Sequence, residues 1–247
     1  ETMRTWMRDN PNVDMFTIIQ SDTGIYCQCN QCMAMYDTFG VGPGAGYGDF
    51  AGRNLWFVNQ VAAAVEDEFP DNRIATWAYG ATRNPPKGIK AHRNVVICYL
   101  PIERCECHAI DRGPINDDYY AFAQGIRQWQ EIAGEVHLWD YGFAGILTIA
   151  DNARAARRLG MTGMKVDAII DIQSGFGFLR YWLWAQSMRN ADWDDDWGMR
   201  EFLGAYYEAA GVPIERYIRL VANPRNYEPL SAKRMVIWDV TSAHNLV

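Results

Sequence analysis

The sequence lacks the two features that most directly mark a membrane protein or a nucleic-acid-binding protein. No apolar run approaches the roughly 20 residues that a transmembrane helix needs. The net charge is −7, and no patch of Lys and Arg stands out that would neutralise a phosphate backbone. We therefore expect neither a membrane nor a nucleic acid as a partner.

Several enzyme signatures are missing as well. The sequence has no nucleophilic serine elbow, no Walker loop and no H-E-x-x-H helix. The glycines of 40–48 lie in a long loop with no strand before them, so they do not fit a dinucleotide-binding turn. These absences predict a protein without an organic cofactor.

What the sequence does contain is ample apolar and aromatic material. Of its 247 residues, 49% are hydrophobic and 21% are charged, which is typical of a globular chain with a sizeable core. The ten Trp and thirteen Tyr fit two interpretations. They could form a large aromatic core, or they could line a sugar-binding cleft, where flat rings cover the apolar faces of pyranoses.

Short apolar runs alternate with amphipathic stretches along the chain. The runs predict strands at 13–20, 73–79, 94–103, 135–142 and 163–170. The amphipathic stretches predict helices at 53–70, 116–133, 148–159, 176–190, 198–210 and 213–222. Repeated strand, loop and helix indicate parallel βα units with both sheet faces covered. We predict an α/β fold of the TIM-barrel type.

The five predicted strands are fewer than the eight that a closed barrel takes. We therefore expect residues 1–195 to be the C-terminal five βα units of a barrel whose opening strands lie outside this chain. Residues 196–247 are predicted to form a helical extension packed on the barrel. On this interpretation the chain is part of a larger polypeptide or assembly.

Carboxylates stand at most of the predicted strand ends, namely Asp22, Glu103, Asp140 and Asp171. Each alone could be a helix N-cap or a turn residue. Because the carboxyl ends of parallel strands share the rim where barrel enzymes act, the set favours glycoside hydrolysis, which needs an acid and a second carboxylate. We predict Asp22 or Glu103 as general acid, and Asp140 as nucleophile, base or transition-state stabiliser.

Further side chains near the same strand ends are candidates for binding the sugar. They are Trp77, Tyr79, Trp139, Tyr141 and Gln173. For the aromatic residues, packing in the core is the alternative interpretation.

Five of the six cysteines fall into two short groups, "YCQCNQC" at 26–32 and "RCECH" at 104–108. Four ligands would complete a tetrahedral zinc site, which would be structural because no coordination position stays open. Disulfides between the same loops and a catalytic thiol are the alternatives. The candidate ligands are Cys27, Cys29, Cys32, Cys105, Cys107 and His108.

Four segments together resemble a known family. They are "DTGIYCQCNQC", "FVNQVAAAVEDEFPDNRIATWAYGATRNPP", "NVVICYLPIERCECH" and "LWDYG", and the resemblance runs from about residue 13 to 190. The family is the domain of unknown function 4838, whose members look like bacterial glycoside hydrolases of the α-glucuronidase and hexosaminidase sort. The resemblance implies a TIM barrel, a carbohydrate substrate and an extracellular or periplasmic location.

The prediction from the sequence is thus a glycoside-hydrolase-like protein that acts on an oligo- or polysaccharide through rim carboxylates. The main alternative is a non-catalytic carbohydrate-binding or scaffold domain with a structural zinc or disulfide cluster. A third possibility is a metal-dependent hydrolase that uses His108 with carboxylates at an open site.

Overall fold

The computed structural model describes residues 1–21, 27–39, 50–102, 104, 108–112, 122–142, 145–167 and 176–221. Within these ranges the strands are β1 (Met15–Thr17), β2 (Arg73–Ala78), β3 (Val95–Tyr99), β4 (Glu135–Asp140) and β5 (Gly163–Val166). The helices in the same ranges are α1 (Thr2–Asp9), α2 (Asn30–Phe39), α3 (Ala51–Val65), α4 (Phe122–Gln130), α5 (Ile149–Arg158), α6 (Gly177–Arg189), α7 (Asp195–Tyr207) and α8 (Gly211–Val221).

The five strands form one sheet in chain order, β1-β2-β3-β4-β5. The registered pairs are parallel: Phe16 pairs with Ile74, Ile74 with Val95, and Val96 with Glu135. α-Helices connect β1 to β2, β3 to β4 and β4 to β5, whereas a 3-10 turn at Gly80–Thr82 and a loop connect β2 to β3. Helices α6, α7 and α8 follow β5. The predicted α/β fold, with five parallel strands in barrel order and extra C-terminal helices, is confirmed.

The chain divides into two compact units. The first comprises Glu1–Leu100 with Gln124–Leu138, and the second comprises Pro101–Ala123 with Trp139–Val247. The predicted boundary at 195/196 stays a prediction, since much of the proposed extension, residues 222–247, lies outside the described part of the chain.

Amphipathic helices build the core of the first unit. In α3, Leu55, Val58, Ala62 and Val65 are buried on one face, as their spacing predicts. Burying each of the larger ones is worth about 1.5–3 kcal/mol. Helix α1 is not anticipated from the sequence, because its stripe of Met3 and Met7 is short.

Helices α5 to α8 form the core of the second unit. Its buried members are Ile146, Ile149, Leu179, Leu183, Trp184, Met199, Leu203 and Ile218. Part of the aromatic richness is explained here, because Trp182 and Phe202 pack against this core with their ring centroids 6.1 Å apart. Among the described residues, no helix is long and apolar enough to cross a membrane.

Candidate functional site

The two faces of the sheet differ in burial, and the difference follows the alternation of side chains along each strand. In β2 to β4, one face carries Ile74, Ile97 and Leu138, which are fully covered. Helices lie on this face, because the Asn54 amide of α3 donates to Thr76 Oγ1 at 3.0 Å. The opposite face is partly exposed.

This partly exposed face, which we call the polar face, carries Arg73, Trp77, Cys98, Glu135 and His137. Trp77 pairs in register with Cys98, and Cys98 with His137, so the three side chains form one row across three strands. The row lies in the carboxyl-terminal half of β2 and β3. Barrel enzymes place their active sites at the carboxyl-terminal ends of the strands, which this part of β2 and β3 adjoins.

Charged groups adjoin the row on the polar face. Arg73 Nε donates to Glu135 Oε1 at 3.0 Å, and His137 Nε2 lies 3.6 Å from Glu135 Oε2. Burial lowers the pKa of His137 from its ordinary value, although the nearby Glu135 carboxylate acts in the opposite direction. His137 is therefore neutral at neutral pH and can both accept and donate a hydrogen bond.

The predicted sugar-binding aromatics of β2 lie at the end of this strand. The rings of Trp77 and Tyr79 are 6.1 Å apart and nearly perpendicular. Both side chains are half-buried. The Tyr79 carbonyl accepts a hydrogen bond from the Gln20 amide at 3.3 Å, which ties the end of β2 to the segment after β1. Trp77 and Tyr79 thus keep part of their surface available for a ligand.

Asp140, a predicted catalytic carboxylate, is 1% exposed. It shares the covered side of β4 with Val136 and Leu138. Arg104 Nη2 donates to Asp140 Oδ2 at 2.6 Å, and the Gly142 amide donates to Oδ1 at 2.8 Å. Both carboxylate oxygens are engaged, so the arrangement suits an internal brace better than a group that meets substrate.

The turn after β4 is held from both sides. Gly142 has φ +80°, a conformation that favours glycine. Its amide donates to Asp140, and its carbonyl accepts a hydrogen bond from the buried Arg180 of α6. Asp140, Arg104 and Arg180 therefore fix the course of the chain through Tyr141.

Trp139 lies on the opposite side of β4 from Asp140. The ammonium nitrogen of Lys165 is 3.3 Å from the centroid of the Trp139 ring, a close cation–π contact. One face of this ring is thus in contact with Lys165. Tyr141, the next predicted binding residue, is half-buried.

The cysteines of the first predicted group come together. The Sγ atoms of Cys27, Cys29 and Cys32 all lie within 4.8 Å of one another, and the three could hold a metal ion. Cys27 and Cys29 are exposed, and Cys32 is half-buried. The prediction that these residues cluster is confirmed.

The position of the group at the start of α2 affects its protonation. A hydrogen bond from the Cys32 backbone amide, followed by bonds from the Cys27 and Cys32 thiols, lowers the pKa of Cys29 to about 7. Hydrogen bonds with Cys27 and then Cys29 raise the pKa of Cys32. Cys29 thus carries more thiolate than Cys32 at neutral pH, and thiolate is the form that binds metals.

The second predicted group is described only at one ligand. His108 is half-buried, and its neighbours are anchored on α5: the Ile110 amide donates to Asn152 Oδ1 at 3.1 Å, and Asp111 binds Arg158 at 2.8 Å. Cys105 and Cys107 lie outside the described residues. Their share in a metal site stays a prediction.

Three other predicted site residues also lie outside the described part of the chain: Asp22, Glu103 and Gln173. Their assigned roles stay predictions. Glu103 directly precedes Arg104, whose side chain is fixed on Asp140.

Sequence reasoning missed His137, Cys98, Arg104 and Arg180. A usable signal exists for His137, because alternation in "EVHLWD" places it on the same side of the strand as Trp139. A buried carboxylate requires a partner, but the sequence does not say which arginine supplies it.

Comparison with known proteins yields one match. None of the curated proteins and none of the solved structures matches the chain significantly. The model of a domain of unknown function, DUF4838, matches residues 1–219, a longer range than the 13–190 of the resemblance. The match covers most of the 247 residues, and the chain therefore belongs to the DUF4838 family.

Proposed function

We propose that the chain is a glycoside-hydrolase-like domain that acts on an oligo- or polysaccharide. The observation that carries this proposal is the row of Trp77, Cys98 and His137 on the polar face. An indole ring can cover the apolar face of a sugar, and the neutral imidazole of His137 can bind a hydroxyl group. Such a combination of one flat apolar surface with few directed polar groups is typical of small-ligand sites.

The acid and base of the reaction are assigned to strand-end carboxylates. Asp22 or Glu103 donates a proton to the glycosidic oxygen while the bond to the anomeric carbon breaks. The second carboxylate attacks that carbon or removes a proton from the attacking water. Because Asp140 is buried and doubly hydrogen-bonded, we assign it to positioning: it holds the side chain of Arg104, the residue that follows Glu103 in the sequence.

A second candidate function is a non-catalytic carbohydrate-binding or scaffold domain with a structural zinc or disulfide cluster. The clustering of Cys27, Cys29 and Cys32 favours it, because a thiolate-bound metal commonly braces a loop. On this alternative, sugar binding survives the loss of the carboxylates. For both candidates we propose an extracellular or periplasmic location, which the family resemblance implies.

Activity measurements on carboxylate variants test the proposal. The full chain is assayed on a panel of 4-nitrophenyl glycosides, including a glucuronide and an N-acetylhexosaminide, and on oligosaccharides with product detection by mass spectrometry. Asp22→Asn and Glu103→Gln should each lose most turnover, whereas Glu131→Gln, an exposed acid after α4, should keep it.

Binding measurements separate the two candidates. His137→Ala and Trp77→Ala should weaken binding of whichever oligosaccharide the panel identifies. Full turnover by both carboxylate variants would refute the hydrolase proposal. Sugar binding with no turnover by the unsubstituted chain on any substrate would favour the binding domain.

A further inference from the structure

The three-cysteine group is a cluster that the proposed hydrolase does not use. Its members, Cys27, Cys29 and Cys32, belong to one six-residue stretch of the first unit, and their Sγ atoms lie within 4.8 Å of one another. Two of the thiols are exposed and the third is half-buried. An ion can therefore reach all three from solvent.

The spacing of the thiols suits a single metal ion. A tetrahedral zinc ion with Zn–S bonds of about 2.3 Å holds its sulfur ligands about 3.8 Å apart, so the group needs to contract by at most about 1 Å. A disulfide needs a sulfur–sulfur distance of about 2.05 Å and joins only two of the three residues. Three mutually close sulfur atoms are thus better explained by one shared ion than by one bond.

Two helices hold the backbone that presents the thiols. The Cys29 carbonyl accepts the Met33 amide at 2.9 Å in the first turn of α2, and Arg53 of α3 donates to the Cys27 carbonyl at 2.8 Å. Helices α2 and α3 approach closely, because a Cβ on Gly52 would lie 2.4 Å from the Cβ of Phe39. The ligand backbone is therefore anchored from both sides before an ion binds.

We infer that Cys27, Cys29 and Cys32 are three thiolate ligands of one zinc ion, with the fourth position filled from outside this segment. Soft thiolate donors select zinc over magnesium or calcium, which prefer oxygen. The bound ion fixes the start of α2 against α3. This inference goes beyond the proposed hydrolase and does not depend on it; for the second candidate function, it specifies the ion and its protein ligands.

Titration with cobalt tests the site directly. The reduced, metal-free full chain is titrated with Co²⁺, which replaces zinc and reports its ligands by absorption. We expect one Co²⁺ per chain, with a sulfur-to-cobalt charge-transfer band in the near ultraviolet and intense tetrahedral bands in the visible. One equivalent of Zn²⁺ should remove both.

Serine variants assign the ligands. Cys27→Ser, Cys29→Ser and Cys32→Ser should each weaken zinc binding by more than the roughly 10- to 100-fold that loss of an outer partner costs. Cys98→Ser is the matched control, because Cys98 lies on β3 and does not belong to the three-cysteine group. It should bind zinc like the unsubstituted chain. Circular dichroism of each variant establishes that it is folded.

The cobalt spectrum of the unsubstituted chain keeps the inference falsifiable even if a serine variant does not fold. A reduced chain that binds Co²⁺ without a charge-transfer band would overturn the inference. Undiminished zinc binding by any folded variant of the three cysteines would overturn it too. So would a disulfide between two of them that persists under the redox conditions of the native compartment.

Discussion

Substitution of Asp140 by alanine should lower the free energy of unfolding by about 3–5 kcal/mol, the usual cost of removing one partner from a buried ion pair. The partner of Asp140 is Arg104, and the side chains of Arg104 and Asp140 are 4% and 1% exposed. Their closest atoms are 2.6 Å apart, so water screens the attraction between the two charges little. The Gly142 amide also loses its acceptor at 2.8 Å. Since a domain is stable by about 5–15 kcal/mol, the loss is a large fraction of the total.

Urea unfolding, followed by tryptophan fluorescence and far-ultraviolet circular dichroism, measures the change. Asp140→Asn should cost less than Asp140→Ala, because the amide oxygen can still accept from Gly142. Asp192→Ala is the matched control: it removes an ion pair with Arg157 whose side chains are 61% and 59% exposed, and exposed pairs contribute little. Its unfolding midpoint should stay near that of the unsubstituted chain.

The double variant Arg104→Met with Asp140→Val completes the test. Replacing both charges by apolar side chains closer to the originals in size should recover much of the lost stability, because neither charge of the pair is then left buried without its counter-ion. The Gly142 amide still lacks its acceptor in this variant, so recovery is not complete. The reasoning is refuted if Asp140→Ala costs less than about 1 kcal/mol, or if the double variant is as unstable as the single one.

Two further substitutions test the packing and the polar face. Gly125→Ala should destabilise the protein by about 1–3 kcal/mol, because the added Cβ would lie 2.4 Å from Tyr99 Oη. Gly204→Ala should stabilise it by about 0.5–1 kcal/mol, because a Cβ there would meet nothing within 4 Å and alanine favours the helix. Equal effects of the two substitutions on urea unfolding would contradict this account. Because burial lowers the pKa of His137, its imidazole binds a proton more readily in the unfolded chain than in the folded one. The free energy of unfolding should therefore fall as pH falls through the unfolded pKa of about 6.5. The slope of the free energy of unfolding against pH, between about pH 5 and 7.5, should be shallower in His137→Gln, and an unchanged slope would contradict this account.

Most of the fold is predictable from the sequence because its signals are local. Each of the five predicted strands is present, and the helix face with Leu55, Val58 and Ala62 is buried as expected. Helices α1 and α2 are harder to predict. Helix α2 begins within the cysteine group, and closely spaced cysteines are more readily interpreted as metal ligands or disulfides than as the start of a helix. Helix α1 is only eight residues long, so its periodic pattern is short.

The candidate site is less predictable because it depends on which way each side chain points. The sequence places Asp140 at a strand end, where a barrel enzyme would use it. Alternation within β4 puts Asp140 on the covered side of the strand, because Val136 and Leu138 are covered and Asp140 lies two residues further along. The same count puts His137 on the polar face. Period-two reasoning applied to the sequence could have made both assignments.

The choice of partner for Asp140 could not be predicted in this way. Arg104 is 36 residues earlier in the chain, and nothing in its local sequence distinguishes it from other arginines. Pairs at such separation are set by tertiary packing. The same holds for Arg180, whose contact with the Gly142 carbonyl joins α6 to the turn after β4.

The Asp140–Arg104 pair is best explained by what it positions. A buried ion pair can often be replaced by apolar residues at no cost in stability, so stability alone does not account for its presence. Its atoms hold two parts of the chain at once, the side chain of Arg104 and the amide of Gly142. Under the proposed function, the pair positions the residues next to Glu103 and Tyr141. The apolar double variant should therefore fold stably and yet show reduced turnover on the substrate that the panel identifies, whereas full turnover would leave the pair a purely structural role.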